Sequence, residues 1–306
     1  MSAPAPGIDV IIATKDRREL LLKAVDGILA QDYPGEIRLT IVFDQVPPDP
    51  SLERAAANRS VRVLPNSRTP GLAGGRNTGL LAADRRLVAF CDDDDVWRPA
   101  KAAAQVARMR DDGAQGCVTG ILVHTQGRQV PRVPAVPRVT PGALHQGRLT
   151  GAHPSSYLFD RAWLLGSVGL VDEELPSGYG EDFDLLLRCA QAGTVTVVPE
   201  PLVDVLWHPG SFFTQRWQGM ADGLGYLLAK HPGLTTDRKG YAWMEGQRAF
   251  ALAAGGGRRA EALRAAARSL RHNGREPRGV LAAVVALGLV SPERVMRVLN
   301  ARGHGI

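Results

Sequence analysis

The chain has 306 residues, 44% hydrophobic and 22% charged, with a formal net charge of +6. This length suits one large domain with an appendage, and the composition excludes a disordered or fibrous chain. The basicity is uneven: residues 207–306 carry 15 Lys and Arg against 6 Asp and Glu, and the first 206 carry 22 against 25.

Residues 1–7 form a small Pro- and Ala-rich arm with no apolar h-region, so no secretory leader is expected. Ile8 to Ala13 reads as an opening strand and Thr14-Lys15-Asp16 as a polar turn. From Leu20 to Gln31, Leu21, Val25, Ile28 and Leu29 share a helical face, with Asp16 expected as N-cap and Glu19 completing a capping box. Tyr33-Pro34-Gly35 ends that helix. Ile37 to Phe43 is a second strand, closed by Asp44 and a Pro-rich loop. A short helix and a third strand, Val61 to Leu64, precede the stretch Gly71 to Gly79, expected as a glycine-rich loop. Leu87 to Cys91 is a short, wholly apolar fourth strand, and Asp92 to Asp95 follow it directly. Pro99 opens a helix to about Asp111. The Pro-rich stretch from Gln129 to Gly142 is expected as a loop crossing the site. Ser156 to Asp160 reads as a strand, and Glu181 to Ala192 as a helix with Phe183, Leu186, Leu187 and Ala190 toward a core. Beyond Trp207 the pattern turns helical.

Alternating strands and helices imply an α/β fold with a mainly parallel sheet flanked by helices, and a helical appendage at the C-terminus. The division is drawn at residues 1–211 and 212–306. Cys91, Cys117 and Cys189 lie far apart and form no CxxC pair, which suits buried thiols in a reducing, cytoplasmic setting.

In a parallel sheet, Thr14, Asp16, Asp44, the glycine-rich stretch and Asp92 to Asp95 all fall at strand ends on one edge, where α/β proteins bind ligands. Four adjacent carboxylates raise one another's pKa unless a cation holds them. A hard divalent ion, Mn²⁺ or Mg²⁺, would do so and would bridge to phosphates. An acidic loop tip in solvent is the competing reading. The small polar groups and Asp44 suit a nucleoside diphosphate. The glycine-rich stretch matches neither a dinucleotide fingerprint nor a P-loop, and tight packing explains it equally well.

Taken together, these segments resemble a family 2 glycosyltransferase of the GT-A (Rossmann-like) fold, over roughly residues 8 to 211. Val10-Ile11-Ile12-Ala13-Thr14-Lys15-Asp16-Arg17 resembles the family's opening strand and turn, with Lys15-Asp16 in place of the usual Tyr-Asn. Gly75-Arg76-Asn77-Thr78-Gly79 resembles its Arg-Asn-x-Gly segment. Val88 to Asp95 resembles its strand and DxD motif, with Trp97 and Pro99 in familiar places. Gly180-Glu181-Asp182-Phe183-Asp184-Leu185 resembles its acidic catalytic motif, and Trp207-His208-Pro209-Gly210-Ser211 its late His segment. Phe43-Asp44-Gln45-Val46 lacks the usual Asp-Asp-Gly-Ser, so Asp44 alone carries over there.

The resemblance implies inverting transfer of a sugar from a nucleotide-sugar donor, with uracil as the expected base, to an acceptor hydroxyl. Thr14, Asp16, Asp44, Arg76, Asn77, Asp92 and Asp93 would face the donor nucleotide. Asp94, Asp92 and His208 would hold the metal. Asp182, with Glu181 as alternate, would be the general base at a helix N-terminus. His145 and His153 lie nearer the acceptor side in sequence and carry no assigned role.

Phe90-Cys91-Asp92-Asp93-Asp94-Asp95-Val96 also fits the nucleophile signature of haloacid-dehalogenase-like phosphatases, with Asp92 attacking. That chemistry needs a later Lys, and Lys101 is the only Lys between Asp95 and Glu181. A non-catalytic sugar-nucleotide-binding protein is the third reading. The acceptor, whether glycan, lipid-linked sugar or small metabolite, is not written in the sequence. Nothing patterns as a nucleic-acid binder. Arg264, Arg268, Arg271 and Arg275 recur at helical spacing beside Leu263, Ala267 and Leu270, a face that could pack on the catalytic domain. The apolar run Val280 to Val290 is too short to span a bilayer. Peripheral contact with the inner face of a membrane, a homodimer contact and a solvated bundle are all open for this region.

Overall fold

A computed structural model describes residues 4–125, 127–206 and 217–301. In chain order the elements are β1 (Ile8–Thr14), α1 (Arg18–Leu29), β2 (Ile37–Phe43), β3 (Arg54–Ala55), β4 (Arg59–Pro65), α2 (Leu72–Ala82), β5 (Leu87–Phe90), β6 (Asp95–Trp97) and α3 (Lys101–Asp112). Then come β7 (Gly116–Thr125), β8 (Arg128–Arg132), β9 (Arg138–Val139), α4 (Pro141–Gln146), β10 (Leu158–Asp160), the single turn α5 (Arg161–Trp163), α6 (Glu181–Ala192) and β11 (Val195–Leu206). Helices α7 (Trp217–Lys230), α8 (Arg238–Gly255), α9 (Arg259–His272), α10 (Pro277–Ala286) and α11 (Pro292–Ala301) complete it.

The chain forms two compact units. The first runs to residue 141, resumes over 149–173, and continues from α6 through β11. It holds one sheet in the order β3-β4-β2-β1-β5-β10-β7-β11-β6, with β8 beside β7 and β9 beside β11. The pairs β4–β2, β2–β1, β1–β5 and β7–β11 are parallel, and β10 runs antiparallel between β5 and β7. The expected mixed, mainly parallel sheet is therefore present. β1 and β5 are buried along their whole length, as their unbroken apolar sequences require of strands covered on both faces. Ile8, Val10, Ile12, Leu21, Val25, Ile28, Ile41 and Ala89 belong to one hydrophobic core.

The ends of β1, β2 and β5 come together as expected. The Asp44 N–H donates to the Thr14 carbonyl at 2.8 Å, and the Cys91 N–H to the Ile11 carbonyl at 3.0 Å. After the four aspartates, β6 pairs with β11 at the far side of the sheet. The acidic turn thus lies where the chain leaves the sheet centre.

Several local expectations are corrected. α1 begins at Arg18 with Arg17 at its N-cap and no side-chain cap, so Asp16 and Glu19 form no capping box. Asp16 is exposed in the preceding turn. The expected short helix after β2 is a single 3₁₀ turn, Pro50–Leu52. The glycine-rich stretch is helix α2, with Gly71 ahead of it at φ +118°. Its glycines serve close packing. A Cβ on Gly75 would lie 2.7 Å from Ala13 Cβ, and one on Gly79 would overlap the Ile11 side chain. The 129–142 stretch contributes β8 and β9 as well as loop.

The second unit comprises residues 142–148, 174–180 and the helices from α7 onward. Its core is made of small side chains. Ala242, Ala249 and Ala251 of α8 are buried, as are Ala262, Ala265 and Ala266 of α9 and Ala282 of α10. The buried face of α9 is therefore this alanine face with Ser269, while Leu263 and Leu270 are half-buried and Ala267 is exposed. The Ser269 hydroxyl donates to the Ala242 carbonyl at 2.7 Å. Nor is the arginine row uniformly free: Arg268 makes a two-pronged contact with Glu245 at 2.9 and 3.1 Å. Val280, Leu287 and Leu289 are exposed. Among the described residues no helix is long and apolar enough to cross a membrane.

The α2–β1 contact leads to a test. Gly79→Val should destabilise the protein by about 1–3 kcal/mol through overpacking against Ile11. Urea unfolding measures it, and an unchanged midpoint would show that α2 does not depend on this close approach.

Candidate active site

The Asp95 N–H donates to the Asp92 carbonyl at 3.2 Å, which closes the acidic run into a turn. The turn sends its four side chains to different partners. Asp92 accepts from Arg76 Nη2 at 2.6 Å, and its backbone N–H donates to Ser155 Oγ at 2.9 Å. Asp93 is buried and accepts from Thr14 Oγ1 at 2.6 Å and from Arg17 Nε at 3.3 Å, with a second contact from Arg17 Nη2. Asp94 accepts from Arg17 Nη1 at 2.6 Å. Asp95 is buried, accepts from Ser155 Oγ at 2.5 Å, and lies 3.2 Å from His153 Nδ1.

The four carboxyls are not equivalent. Burial opposes the charge on Asp92, but Arg76, then His153 and Arg17, bring it below the ordinary carboxylate range. Burial dominates at Asp93 and holds it above that range, despite Thr14 and Arg17. Burial, then Asp92 and Asp95, push Asp94 up to about 6 against the pull of Arg17. Burial would lower His153, but Asp95, Asp92 and Asp182 raise it to about 9. Two arginines and an imidazolium thus share the neutralisation of the run.

Arg76 links this turn to α6. It is buried in α2 and pairs with Glu181, the first residue of α6, as well as with Asp92. Asp182 follows, half-buried, with its carbonyl accepting from Tyr157 Oη at 3.4 Å. Its charge is felt by both Arg76 and His153, so the start of α6 and the acidic turn form one electrostatic unit.

On the other flank, the Asp44 carboxylate accepts from Asn66 Nδ2 at 2.7 Å, Gln45 Nε2 at 2.8 Å and the Gly71 N–H at 3.0 Å. Burial opposes its charge, and these donors outweigh it and keep the carboxyl low. Asn77 is buried and engaged through both ends of its amide. Nδ2 donates to the Val171 carbonyl at 2.8 Å and to Glu173 at 2.6 Å, and Oδ1 accepts from the Val171 N–H at 2.9 Å. Glu173 also accepts from Arg68 and Thr69, and despite partial burial its carboxyl drops to about 2.

Thr14, Arg76, Asp92, Asp93, Asp94, Glu181 and Asp182 are therefore gathered in one place, and Asp44 lies at the adjoining strand end. Asp16 faces solvent, and His208 lies outside the described residues. Lys101 does not serve as a phosphatase lysine. It is buried, donates to Gln105 Oε1 at 2.7 Å, and stacks 3.6 Å from the Trp97 ring centroid.

Sequence reasoning gave no role to Arg17, His153, Ser155 or Glu173. Arg17 had a local signal, a cation three residues past the strand-end Thr14. The others are recruited from 58 or more residues away in sequence. Asp92, Asp95 and His153 each offer one ligand atom, all within 4.8 Å of one another. Carboxylate oxygens with one imidazole fit Mn²⁺ or Mg²⁺, and Asp94 at the same turn adds a partly exposed carboxylate.

The family model described as glycosyl transferase family 2 matches residues 9–164, just over half of the chain. The chain belongs to that family. The succinoglycan biosynthesis protein ExoO of Rhizobium meliloti (strain 1021) is 28% identical over 225 residues, 68% of this chain and 63% of that protein. The Escherichia coli protein WfgD, named as a UDP-Glc:alpha-D-GlcNAc-diphosphoundecaprenol beta-1,3-glucosyltransferase, is 26% identical over 33% of this chain and 40% of its own. The chain thus spans less than two thirds of these relatives' length. Among solved structures, S. aureus TarS 1-349 in complex with UDP-GlcNAc superposes with a TM-score of 0.62 at 17% identity, covering 92% of this chain and 91% of that one. The Pyrobaculum calidifontis mannosyltransferase PcManGT, in complex with GDP-Man and Mn²⁺, gives 0.53 at 17% identity, with 98% and 86% covered. At these identities the likeness is one of fold: this family 2 member has the GT-A architecture expected of it.

The Arg76 hub leads to a second test. Arg76→Met leaves the buried Glu181 and the partly buried Asp92 without their cation and should cost about 3–5 kcal/mol at neutral pH. The wild-type Asp92 carboxyl sits below its ordinary range, so its contribution is present above the ordinary carboxylate pKa and lost as pH falls. Wild type and variant should therefore converge in acid. A pH-independent difference, or one under about 1 kcal/mol at neutral pH, would show that Arg76 is not the hub.

Proposed function

We propose that this family 2 member transfers a sugar from a nucleotide-sugar donor to an acceptor hydroxyl with inversion at the anomeric carbon. One observation carries the reading. Arg76 pairs with Asp92 of the acidic turn and with Glu181, the first residue of α6, so the half-buried Asp182 that follows Glu181 is held next to the turn. A single displacement needs a proton acceptor on the acceptor side and charge stabilisation on the leaving-group side, and this arrangement supplies both.

In this reading the acceptor oxygen bonds to the anomeric carbon as the bond from that carbon to the diphosphate oxygen breaks. The acceptor proton passes to Asp182, and the nucleoside diphosphate leaves with the bonding electrons. Glu181 is buried and tied to Arg76, so Asp182 is assigned as the base and Glu181 as its anchor. Asp92 and Asp94 would hold a divalent cation, with His153 backing Asp92. That ion would neutralise the charge that grows on the departing diphosphate. Thr14 and Asp44 line the nucleoside end. Arg76 and Asn77 build the site through Asp92, Glu181 and Val171 rather than by touching the donor.

The donor is assigned as a uridine diphosphate sugar, in line with the name of the WfgD relative and the TarS complex with UDP-GlcNAc. The WfgD name, and that of its E. coli counterpart WfaP, favour a lipid-diphosphate-linked sugar as acceptor class.

Two substitutions test the division of labour. Asp182→Asn should keep nucleoside-diphosphate binding and lower transfer by ~10²–10⁴. Asp94→Ala should abolish the dependence of nucleotide affinity on Mn²⁺. Wild-type transfer by Asp182→Asn would remove that residue from the chemistry, and wild-type protein whose nucleotide affinity ignores Mn²⁺ would remove the metal.

A further inference from the structure

The acidic turn already carries a cation of its own on the carboxylate assigned to the metal. Arg17 Nη1 lies 2.6 Å from Asp94 Oδ2, while Nε of the same guanidinium lies 3.3 Å from Asp93 Oδ2 and Nη2 contacts the other Asp93 oxygen. The two attachments differ in kind. Asp93 is 1% exposed and fixed by Thr14 at 2.6 Å, so it is an anchor. Asp94 is 20% exposed and Arg17 itself 45% exposed, so the Nη1 arm lies on the open side of the turn. Arg17 sits at the N-cap of α1, whose free N–H groups and dipole favour an anion at that end.

We propose that Arg17 is a built-in counter-cation that couples metal and diphosphate binding: it holds Asp94 in the free protein and hands it to the divalent ion when the diphosphate takes the Nη1 arm. Two cations cannot both sit at full strength on one carboxylate oxygen, so Arg17 weakens metal binding to the free protein. The guanidinium fork suits the hand-over, because it offers several donors in one rigid plane. With Nε and Nη2 held on Asp93, Nη1 stays in place; Asp94 leaves it for the ion, and a phosphate oxygen takes the freed N–H. Free protein would then resist loading with metal alone, and metal and donor would arrive as a linked pair. Arg17 is thus a positioning residue toward the metal and a direct contact to the diphosphate.

This inference rests on the reading that Asp94 takes a divalent cation beside a diphosphate. The test is Mn²⁺ binding followed by the free-ion electron paramagnetic resonance signal, without and with UDP, in wild type, Arg17→Gln and Arg17→Lys. UDP binding is also measured calorimetrically in the absence of metal. Melting curves confirm that the variants are folded. In Arg17→Gln, Mn²⁺ should bind the UDP-free protein roughly tenfold or more tightly, the scale of one lost charge-assisted contact. Metal-free UDP binding should weaken by a similar factor, and Arg17→Lys should fall between. If Arg17→Gln binds Mn²⁺ no better than wild type without UDP, or if metal-free UDP affinity is unchanged, the hand-over is wrong while the metal reading stands. If wild type binds no Mn²⁺ even with UDP, the metal reading fails and this inference falls with it.

Discussion

Four adjacent carboxylates at the centre of a sheet impose an electrostatic demand that the rest of the first unit has to meet. Two like charges ~5 Å apart in a partly buried site repel by about 3 kcal/mol, and four of them make several such pairs. The chain meets this with cations from three distant segments: Arg17 before α1, Arg76 inside α2, and His153 ahead of β10. Each must arrive at the same turn, so the placement of α1, α2 and the 153–155 segment is tied to the acidic run. Removing water from these groups is unfavourable, and it is tolerated because every carboxylate has a donor.

The sheet topology makes that convergence possible. β1 lies between β2 and β5, so the turn after β1 faces the turns after both neighbours. α2 must then pack closely enough on β1 for Arg76 to reach Asp92 on one side and Glu181 on another. Glycines at positions 75 and 79 allow this approach. The glycine-rich stretch is thus a helix whose missing side chains set the position of one arginine. Asn77, one residue on, fixes the opposite side of α2 to Val171 and Glu173.

Much of this was legible in the sequence, and the exceptions have physical causes. β2 and α6 appear over the expected residues because an apolar strand run and a helical apolar face are local signals. β7 and β11 were not picked out. β11 carries Pro199 and Pro201, which interrupt the strand pattern, and its pairing with β7 shifts register around Pro201. The family was legible, since five short motifs recur in order, and the family model matches residues 9–164. The pairing of Arg17 with Asp93, 76 residues apart, was not, because no local rule links a helix N-cap to a turn after a later strand.

Consecutive residues at the start of α6 show how one backbone feature separates structural from chemical work. Successive side chains on a helix diverge by about 100°, so Glu181 and Asp182 cannot face the same partner. Glu181 turns into the buried guanidinium of Arg76 and is removed from solvent. Asp182 stays half-buried, within the field of Arg76 and His153. A proton acceptor has to be reachable and free to change charge, whereas an anchor must be neither. The two carboxylates therefore differ in placement: Glu181 ties the start of α6 to the acidic turn through Arg76, and that tie keeps Asp182, the proposed base, next to the same turn.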